Sequence, residues 1–204
     1  NPSEFNATGN GDRPVEDLNW TEAMAFCEQL TIRERNAGRI PEDWAYVLPT
    51  ESQWEYACRA GTTTVYSWGD DMNSSHANYS FSGVGQTQEV GQYAANPWGF
   101  FDMHGNVCEW TADWYQQNYS TGKLQGDIIP ENNSWDYMDG LPYDPGTRRY
   151  GYYRYYPIED PTGPASGSSR VYMGGGWYAF PQYLRSAQRS HYDPSGRADD
   201  VGFR

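Results

Sequence analysis

Residues 170–204 have the composition and spacing of a surface for molecular recognition. A recurrent frame of Gly, Trp and Arg, closed by Gly-Phe-Arg, alternates with three short blocks of unrelated side chains. Because the block residues share neither size nor charge nor polarity, no single packing or catalytic requirement explains them. Free variation on a rigid scaffold is typical of a binding surface, so this segment is predicted to bind a ligand. The blocks are Tyr178-Ala179-Phe180, Ser190-His191-Tyr192-Asp193 and Ala198-Asp199-Asp200.

Cysteine and histidine, the side chains best suited to nucleophilic and metal chemistry, form no catalytic pattern in this sequence. The three cysteines, of which Cys108 is the last, are far apart and contain no C-x-x-C pair. Cys27 and Cys58 fall on the apolar faces of predicted helices, so buried free thiols are expected, although the spacing leaves one intrachain bridge open. The three histidines lack the spacing of metal ligands. They are His76, His104 and His191.

The composition indicates one irregular globular domain. The chain has 204 residues, and its 22 Gly, 13 Pro and 17% aromatic residues are typical of a loop-rich fold around a single core. The formal net charge of −13 argues against nucleic acid, whose phosphates require a basic face, but is compatible with a cationic partner, metal ions or simple solubility. No apolar run is long enough for a transmembrane span. Asn1 is an unusual native start, so targeting segments are expected to be missing.

Capping signals and hydrophobic periodicity predict the helices and strands that position the candidate functional residues. Asn19 and Glu22 have the N-cap and N3 spacing of a capping box, and Thr50 and Gln53 repeat that spacing at a second helix, which Gly61 ends. Short strands are predicted at residues 44–48 and 106–114. Residues 116–169, rich in Gly, Pro, Asn and Tyr, are predicted to form a surface insertion.

Segments in order along nearly the whole chain resemble the formylglycine-generating-enzyme/sulfatase-modifying-factor domain family. The resemblance implies an α+β, C-type-lectin-like fold, in which two helices and a small twisted antiparallel sheet form a single domain over residues 1–204. It also implies that the family's opening strands would precede this chain. The segments are Arg13-Pro14-Val15-Glu16 with Asn19-Trp20, Leu48-Pro49-Thr50-Glu51-Ser52-Gln53-Trp54-Glu55-Tyr56-Ala57, Trp68-Gly69-Asp70, Asn96-Pro97-Trp98-Gly99-Phe100-Phe101-Asp102-Met103, Gly105-Asn106-Val107-Cys108-Glu109-Trp110, Gly174-Gly175-Gly176-Trp177 and Gly202-Phe203-Arg204.

The sequence departs from the oxidases of this family where their chemistry takes place. Those enzymes use two cysteines shortly after the Gly-Gly-Ser region to bind copper and to react with the substrate thiol, whereas residues 177–204 contain no cysteine. No other side chain replaces a thiolate in soft-metal binding or thiol exchange, so neither copper nor this oxidation is expected. The alternative is an enzyme of the family, an oxidase or an iron-dependent relative, with a degenerate or different active site.

The C-terminal part is also similar to the variable proteins of diversity-generating retroelements, which share this fold. The resemblance implies a hypervariable region at residues 172–204, no catalysis, and display at a cell surface or virion, where the variable face binds an unknown protein or glycan. The implied ligand-binding residues are Tyr172, Tyr178, Ala179, Phe180, Tyr183, Ser190, His191, Tyr192, Asp193, Gly196, Ala198, Asp199 and Asp200.

The resemblance also implies two calcium sites, and four arginines recur in the C-terminal frame. The family's calcium pattern implies one site with two carboxylates and two carbonyls, and part of a second site, because a hard cation prefers oxygen ligands. The alternative is that the two carboxylates pair with frame arginines, which are themselves expected to tie loops together rather than to capture anions. The first site comprises Asp102, Gly105, Val107 and Glu109, the second Asn78 and Tyr79, and the arginines are Arg185, Arg189, Arg197 and Arg204.

Overall fold

The computed structural model describes residues 2–5, 11–116 and 162–204, together with the backbone of residues 143–144 and 149–150. Residue contacts divide the chain into one unit of residues 1–116 and 160–204 and a second unit of residues 117–159. The insertion predicted at residues 116–169 therefore falls mostly outside the described residues. Within the second unit, residues 143–144 and 149–150 form a two-stranded antiparallel sheet.

The first helix, α1 (Trp20–Asn36), begins where the sequence predicts it. The Asn19 side chain accepts a hydrogen bond from the backbone N–H of Glu22, and the Glu22 carboxylate accepts one from the N–H of Asn19, each at 3.0 Å. This capping box satisfies two N–H groups that a helix start leaves without partners. The inward face buries Ala23, Cys27, Thr31 and Glu34.

The second helix, α2 (Glu51–Arg59), has the same kind of start. The side chains of Thr50 and Gln53 each accept a hydrogen bond from the backbone of the other. The helix ends at Ala60, which adopts a left-handed conformation (φ 47°) and is followed by Gly61 (φ 88°). Glycine at this point permits the chain to reverse without strain. The buried residues of α2 are Glu51, Trp54 and Cys58.

In chain order the described strands are β1 (Cys108–Trp114), β2 (Tyr143–Asp144), β3 (Arg149–Tyr150), β4 (Arg170–Met173), β5 (Ser190–Tyr192) and β6 (Val201–Gly202). The sheet of the first unit is small and mixed, with strand order β5-β4-β1-β6. β1 pairs antiparallel with β4, and β4 pairs antiparallel with β5, whereas β6 runs parallel to β1. The α+β fold class with two helices and a small sheet is therefore confirmed, but the sheet is mixed rather than wholly antiparallel, because β6 pairs in parallel with the edge of β1 that β4 leaves open.

The strand predicted at residues 44–48 is wrong, because this segment is not in a strand. Its backbone polar groups bond to side chains of α1 instead. The N–H of Tyr46 donates to Thr31 Oγ1 at 2.9 Å, and Arg35 Nε donates to the carbonyl of Trp44 at 3.0 Å. Since backbone groups away from a sheet ladder need other partners, these contacts hold the segment against the helix.

Three apolar clusters make up the core of the first unit. One joins α1 to β1 and β6 around Trp110, and a second joins α2 to β4 around Trp54. The third contains Tyr66, Ala77, Tyr79 and Leu184, so it fixes the C-terminal segment to the loops that follow α2. The three cysteines are all buried and free, as expected for Cys27 and Cys58. Within the described residues, no helix combines the length and apolar character needed to cross a bilayer.

Candidate ligand-binding face

The frame of residues 174–186 is held in place by close backbone packing. At Gly175 (φ 74°) a Cβ atom would lie 2.8 Å from Leu184 Cδ1, and at Gly176 it would lie 2.3 Å from Asp200 Oδ2. Glycine is required at both positions because any side chain would collide with its neighbour. The N–H of Trp177 donates to the Asn106 carbonyl at 2.9 Å, which joins the frame to the loop before β1.

The side chains of the predicted blocks project from this frame. Tyr178, Phe180, Tyr183 and Tyr192 are 44–51% exposed, whereas Leu184, between them in sequence, is 0% exposed. A 3-10 turn (Pro181–Tyr183) separates Phe180 from Leu184. His191 and Asp193 are exposed as well. The structure therefore places the buried Leu184 and Ser186 between outward aromatic and polar side chains.

Asp200 does not share this exposure, contrary to its predicted place on the face. It is buried, and its carboxyl group lies 3.7 Å from Cys108 Sγ and forms a hydrogen bond with the Tyr178 side chain. Burial raises its pKa to about 6. Its carbonyl also accepts from the N–H of Cys108, so the residue that precedes β6 is drawn inward under Tyr178. Asp200 supports the face rather than contacting a ligand.

Six more predicted positions are only partly exposed, and three of them pack against the scaffold. Tyr172, on β4, packs edge-on against Trp110 at a centroid distance of 5.8 Å. Ala179 and Ala198 pack against core clusters. At Gly196 a Cβ atom would lie 2.2 Å from the Tyr192 ring, so Gly196 provides room for that ring. The remaining two are Ser190 and Asp199.

Fixed residues outside the variable blocks also reach this surface, and the sequence analysis did not identify them. The ring of Phe81, in a segment without periodicity, lies 5.7 Å from that of Phe180. The ring of Tyr115 stacks on His191 at 3.8 Å. Neither contact has a sequence signal, because each joins positions that are distant in the chain.

The frame arginines are bound within the protein. Arg189 forms an ion pair with the buried Glu51 at 2.9 Å, and Arg197 pairs with Glu22 of α1. Arg185 Nε donates to the carbonyl of Gln182 at 2.8 Å. These contacts support the interpretation that the arginines tie loops together, since the planar guanidinium suits several acceptors at once.

The carboxylates of Asp102 and Glu109 are engaged in contacts within the protein. Arg204 Nη2 donates to Glu109 Oε1 at 2.8 Å, and Trp54 Nε1 donates to Glu109 Oε2 at 2.7 Å. Asp102 Oδ2 accepts from the Gly91 N–H at 2.7 Å, and burial raises the pKa of Asp102. The guanidinium of Arg204 therefore balances the negative charge of the Glu109 carboxylate. Nowhere in the described parts of the chain do three or more His, Cys, Asp or Glu side chains converge to hold a metal ion.

The other predicted calcium ligands are also engaged in packing or hydrogen bonds. Gly105 and Val107 are buried in the loop before β1. The Asn78 side-chain oxygen accepts from Ser82 Oγ at 2.9 Å, and the Tyr79 carbonyl accepts from the Ser82 N–H at 2.9 Å. These bonds hold the loop of residues 78–82 together. Calcium at either site stays a prediction.

A buried cysteine–histidine pair lies beneath the frame. Cys58 Sγ is 3.4 Å from His104 Nε2, which also accepts from the Ser67 N–H, while His104 Nδ1 lies 2.6 Å from the Leu184 carbonyl. The carbonyl can only accept, so the proton of the neutral ring is on Nδ1. Burial lowers the pKa of His104 to about 4 and raises that of Cys58 to about 12. Both groups are neutral at pH 7, which fits packing rather than nucleophilic catalysis.

The chain is similar to known proteins over nearly its whole length. The family model described as "Sulfatase-modifying factor enzyme 1-like domain" matches residues 2–204. The formylglycine-generating enzyme of Streptomyces coelicolor is 28% identical over 97% of this chain and 53% of that protein. The serine/threonine-protein kinase pkn1 of Chlamydia caviae is 33% identical over 96% of this chain, but the match covers 24% of the kinase. This chain thus spans between a quarter and about half of those two proteins.

A solved structure shows the same fold. Treponema denticola variable protein 1 superposes with a TM-score of 0.70 and 31% sequence identity. The match covers 100% of this chain and 76% of that protein.

Proposed function

The chain belongs to the sulfatase-modifying factor enzyme 1-like domain family, and from that premise we propose that it is a ligand-binding member that presents a diversified surface on a fixed frame. The observation that carries the proposal is the contrast within residues 178–192. Large aromatic side chains of the predicted face are exposed, whereas the fixed residues Leu184 and Ser186 between them are fully buried. The likeness to Treponema denticola variable protein 1 supports the same function.

The chemistry of the exposed side chains suits recognition. Tyr178, Tyr183 and Tyr192 each combine an apolar ring with a hydroxyl group, and tyrosine contributes contact area at low cost in conformational entropy. Burial raises the pKa of Tyr178, so its hydroxyl stays neutral at physiological pH. The proposed ligand is a protein or a glycan held by aromatic contacts.

The cysteines support binding rather than the family's oxidase chemistry. All three thiols are buried, and burial raises the pKa of Cys58 to about 12 and that of Cys108 well above its ordinary value. The reactive form in metal binding and thiol exchange is the thiolate, which these environments disfavour. Together with the absence of cysteine from residues 177–204, this supports a protein without copper-dependent catalysis.

An enzyme with a different active site is the second candidate, favoured by the similarity to the Streptomyces coelicolor formylglycine-generating enzyme. Incubation with Cu(I), oxygen and a cysteine-containing sulfatase-motif peptide separates the two. We expect no formylglycine above the enzyme-free control. Product formation by the purified chain would establish the enzyme and refute the proposal.

The retroelement origin and the display at a cell surface or virion are further parts of the proposal, and both rest on the resemblance. Nucleotide sequence tests the origin. A neighbouring reverse transcriptase and a near-copy of the segment that encodes residues 172–204 are expected. A genomic context without either would remove the retroelement from the proposal and leave the binding face to be tested on its own.

Two matched display libraries test the binding face without knowledge of its natural ligand. One library randomises five exposed positions of the predicted binding face, and the other randomises five buried positions of the same C-terminal segment. Most members of the first should remain folded and should yield binders to an arbitrary target such as lysozyme, whereas most members of the second should fail to fold. Equal loss of folding in both would overturn the proposal. The first set is Phe180, Tyr183, His191, Tyr192 and Asp193, and the second is Val171, Met173, Leu184, Ser186 and Val201.

A further inference from the structure

We infer that the fixed loop of residues 79–84 is part of the same binding face, and that Phe81 anchors a protein ligand presenting an apolar side chain between basic residues. The inference rests on the proposed function and adds to it a contact residue and a ligand class. Phe81 lies about a hundred positions before the variable blocks, so sequence diversification of residues 172–204 would leave it unchanged.

Phe81 and Phe180 form one exposed apolar surface from two separate loops. Phe81 is 63% exposed and Phe180 is 50% exposed, and their rings are tilted by 50° at a centroid distance of 5.7 Å. Val84, at the end of the same loop, is also exposed. Contiguous exposed apolar side chains mark interaction sites more often than isolated ones do.

The loop that carries Phe81 is fixed before any ligand arrives. The N–H of Ser80 donates to the Ala179 carbonyl at 3.1 Å, which ties the loop directly to the first variable block. Ser82 Oγ donates to the buried side chain of Asn78 at 2.9 Å. The ring of Phe81 rests edge-on against the buried ring of Tyr79 at a centroid distance of 6.0 Å. A preorganised ring loses little conformational entropy on binding, so it contributes more to affinity.

The chemistry of the paired rings favours a protein over a glycan. Phenylalanine has no polar atom on its side chain, so neither Phe81 nor Phe180 can hydrogen-bond the hydroxyl groups that cover a sugar. Two adjacent apolar rings instead match the aliphatic or aromatic anchor that dominates the centre of protein interfaces.

Charge points to a basic flank on that ligand. The chain carries a net charge of −13, and the blocks contain Asp193 and Asp199 but no lysine or arginine. Among the described residues, neither of these aspartates takes part in an ion pair. The exposed Arg185 is bound to the carbonyl of Gln182 and the side chain of Gln188. Complementary charge on a partner would steer association toward this surface.

A displayed library of random 12-residue peptides, panned on the immobilised protein, provides the probe. The selected peptides are then measured against Phe81→Ser, Phe180→Ser and a matched control, Phe26→Ser. Phe26 is 54% exposed, and its ring packs against Phe203 rather than against Phe81 or Phe180. We expect Phe81→Ser and Phe180→Ser each to weaken binding by about tenfold or more, as loss of an interface anchor does. Phe26→Ser should leave binding unchanged, and Phe81→Tyr should retain it.

The outcomes separate this inference from the function on which it rests. Peptides that lose affinity for Phe180→Ser but not for Phe81→Ser would overturn the inference and leave the binding face intact. Peptides insensitive to both, or a library that yields no binder, would count against the face itself. Selected sequences should be rich in Lys and Arg beside an apolar residue, and their affinity should fall between about 50 mM and about 500 mM salt. Enrichment of acidic peptides would refute the basic flank. Thermal melts establish that each variant is folded.

Discussion

The most direct test of the scaffold-and-face arrangement compares truncations at Leu184 and Tyr192. Leu184 is fully buried, and the backbones of Gly105 and Gly175 lie against its methyl groups, with ideal Cβ positions 3.2 and 2.8 Å away. Leu→Ala replacements in cores cost about 2–5 kcal/mol, and more when the site cannot collapse. Because rigid backbone surrounds Leu184, we expect a loss of about 4 kcal/mol for Leu184→Ala.

Substitutions in the blocks should cost much less, with one exception that the structure identifies. Tyr192→Ser and Phe180→Ser should each change the free energy of unfolding by about 0.5 kcal/mol or less, as exposed positions do. Tyr178→Ser should cost about 1–3 kcal/mol, because Tyr178 hydrogen-bonds the buried Asp200 and packs edge-on against Trp177 at 5.0 Å. Tyr178→Phe isolates the contribution of the hydroxyl group.

Urea denaturation followed by tryptophan fluorescence measures these differences, with the midpoint and the slope fitted separately. An unchanged slope shows that the variants unfold to the same state as the wild type. If Tyr192→Ser and Phe180→Ser destabilise as much as Leu184→Ala, the blocks are structural and the reasoning fails. A small effect of Leu184→Ala would instead show that the frame is not rigid.

Three further predictions concern buried polar groups. Asp200→Asn should be more stable than wild type at pH 7.5, and the difference should shrink toward pH 5. The folded pKa of Asp200 is raised from 3.8 to about 6, so protonation between pH 7.5 and pH 5 restores about 1.4 kcal/mol of stability, and a constant difference in urea melts at the two pH values would contradict this. Glu109→Gln should cost about 3 kcal/mol in the presence of chelator by leaving Arg204 without its ionic partner. If the predicted calcium site is occupied, calcium should raise the melting temperature of the wild type and not that of this variant, and equal melting temperatures with calcium and with chelator would remove the site. The three thiols should resist a thiol reagent in the native protein and react after denaturation, since all are buried, and rapid labelling of the folded chain would show otherwise.

The sequence could predict features that depend on short-range order. Both capping boxes follow from side chains three positions apart, as at Asn19 and Glu22, so no tertiary information is needed. The exposure of Phe180 and Tyr192 follows from their place in blocks of unrelated residues, which no common packing environment could accept. Neighbouring residues are sufficient for such arguments.

Features that depend on distant parts of the chain could not be predicted in this way. Residues 44–48 form a short apolar run typical of a strand, but side chains of α1 form hydrogen bonds with their backbone. Asp200 looks like any other acidic block residue until its position beside Cys108 is known. The proximity of Phe81 to Phe180 is set by the third apolar cluster, which brings together loops about a hundred residues apart.

The close approach of Gly196 to Tyr192 has a consequence for how many different faces the scaffold can present. A side chain at position 196 would meet the ring at position 192 at 2.2 Å, so the ring would have to move or be replaced by something smaller. Positions 192 and 196, which the variation pattern treats as independent, are therefore coupled. Two large side chains at these positions would clash, so such combinations are unfavourable. The usable repertoire is smaller than the product of its single-site choices, and sequenced variants should show inverse covariation in size between these two positions.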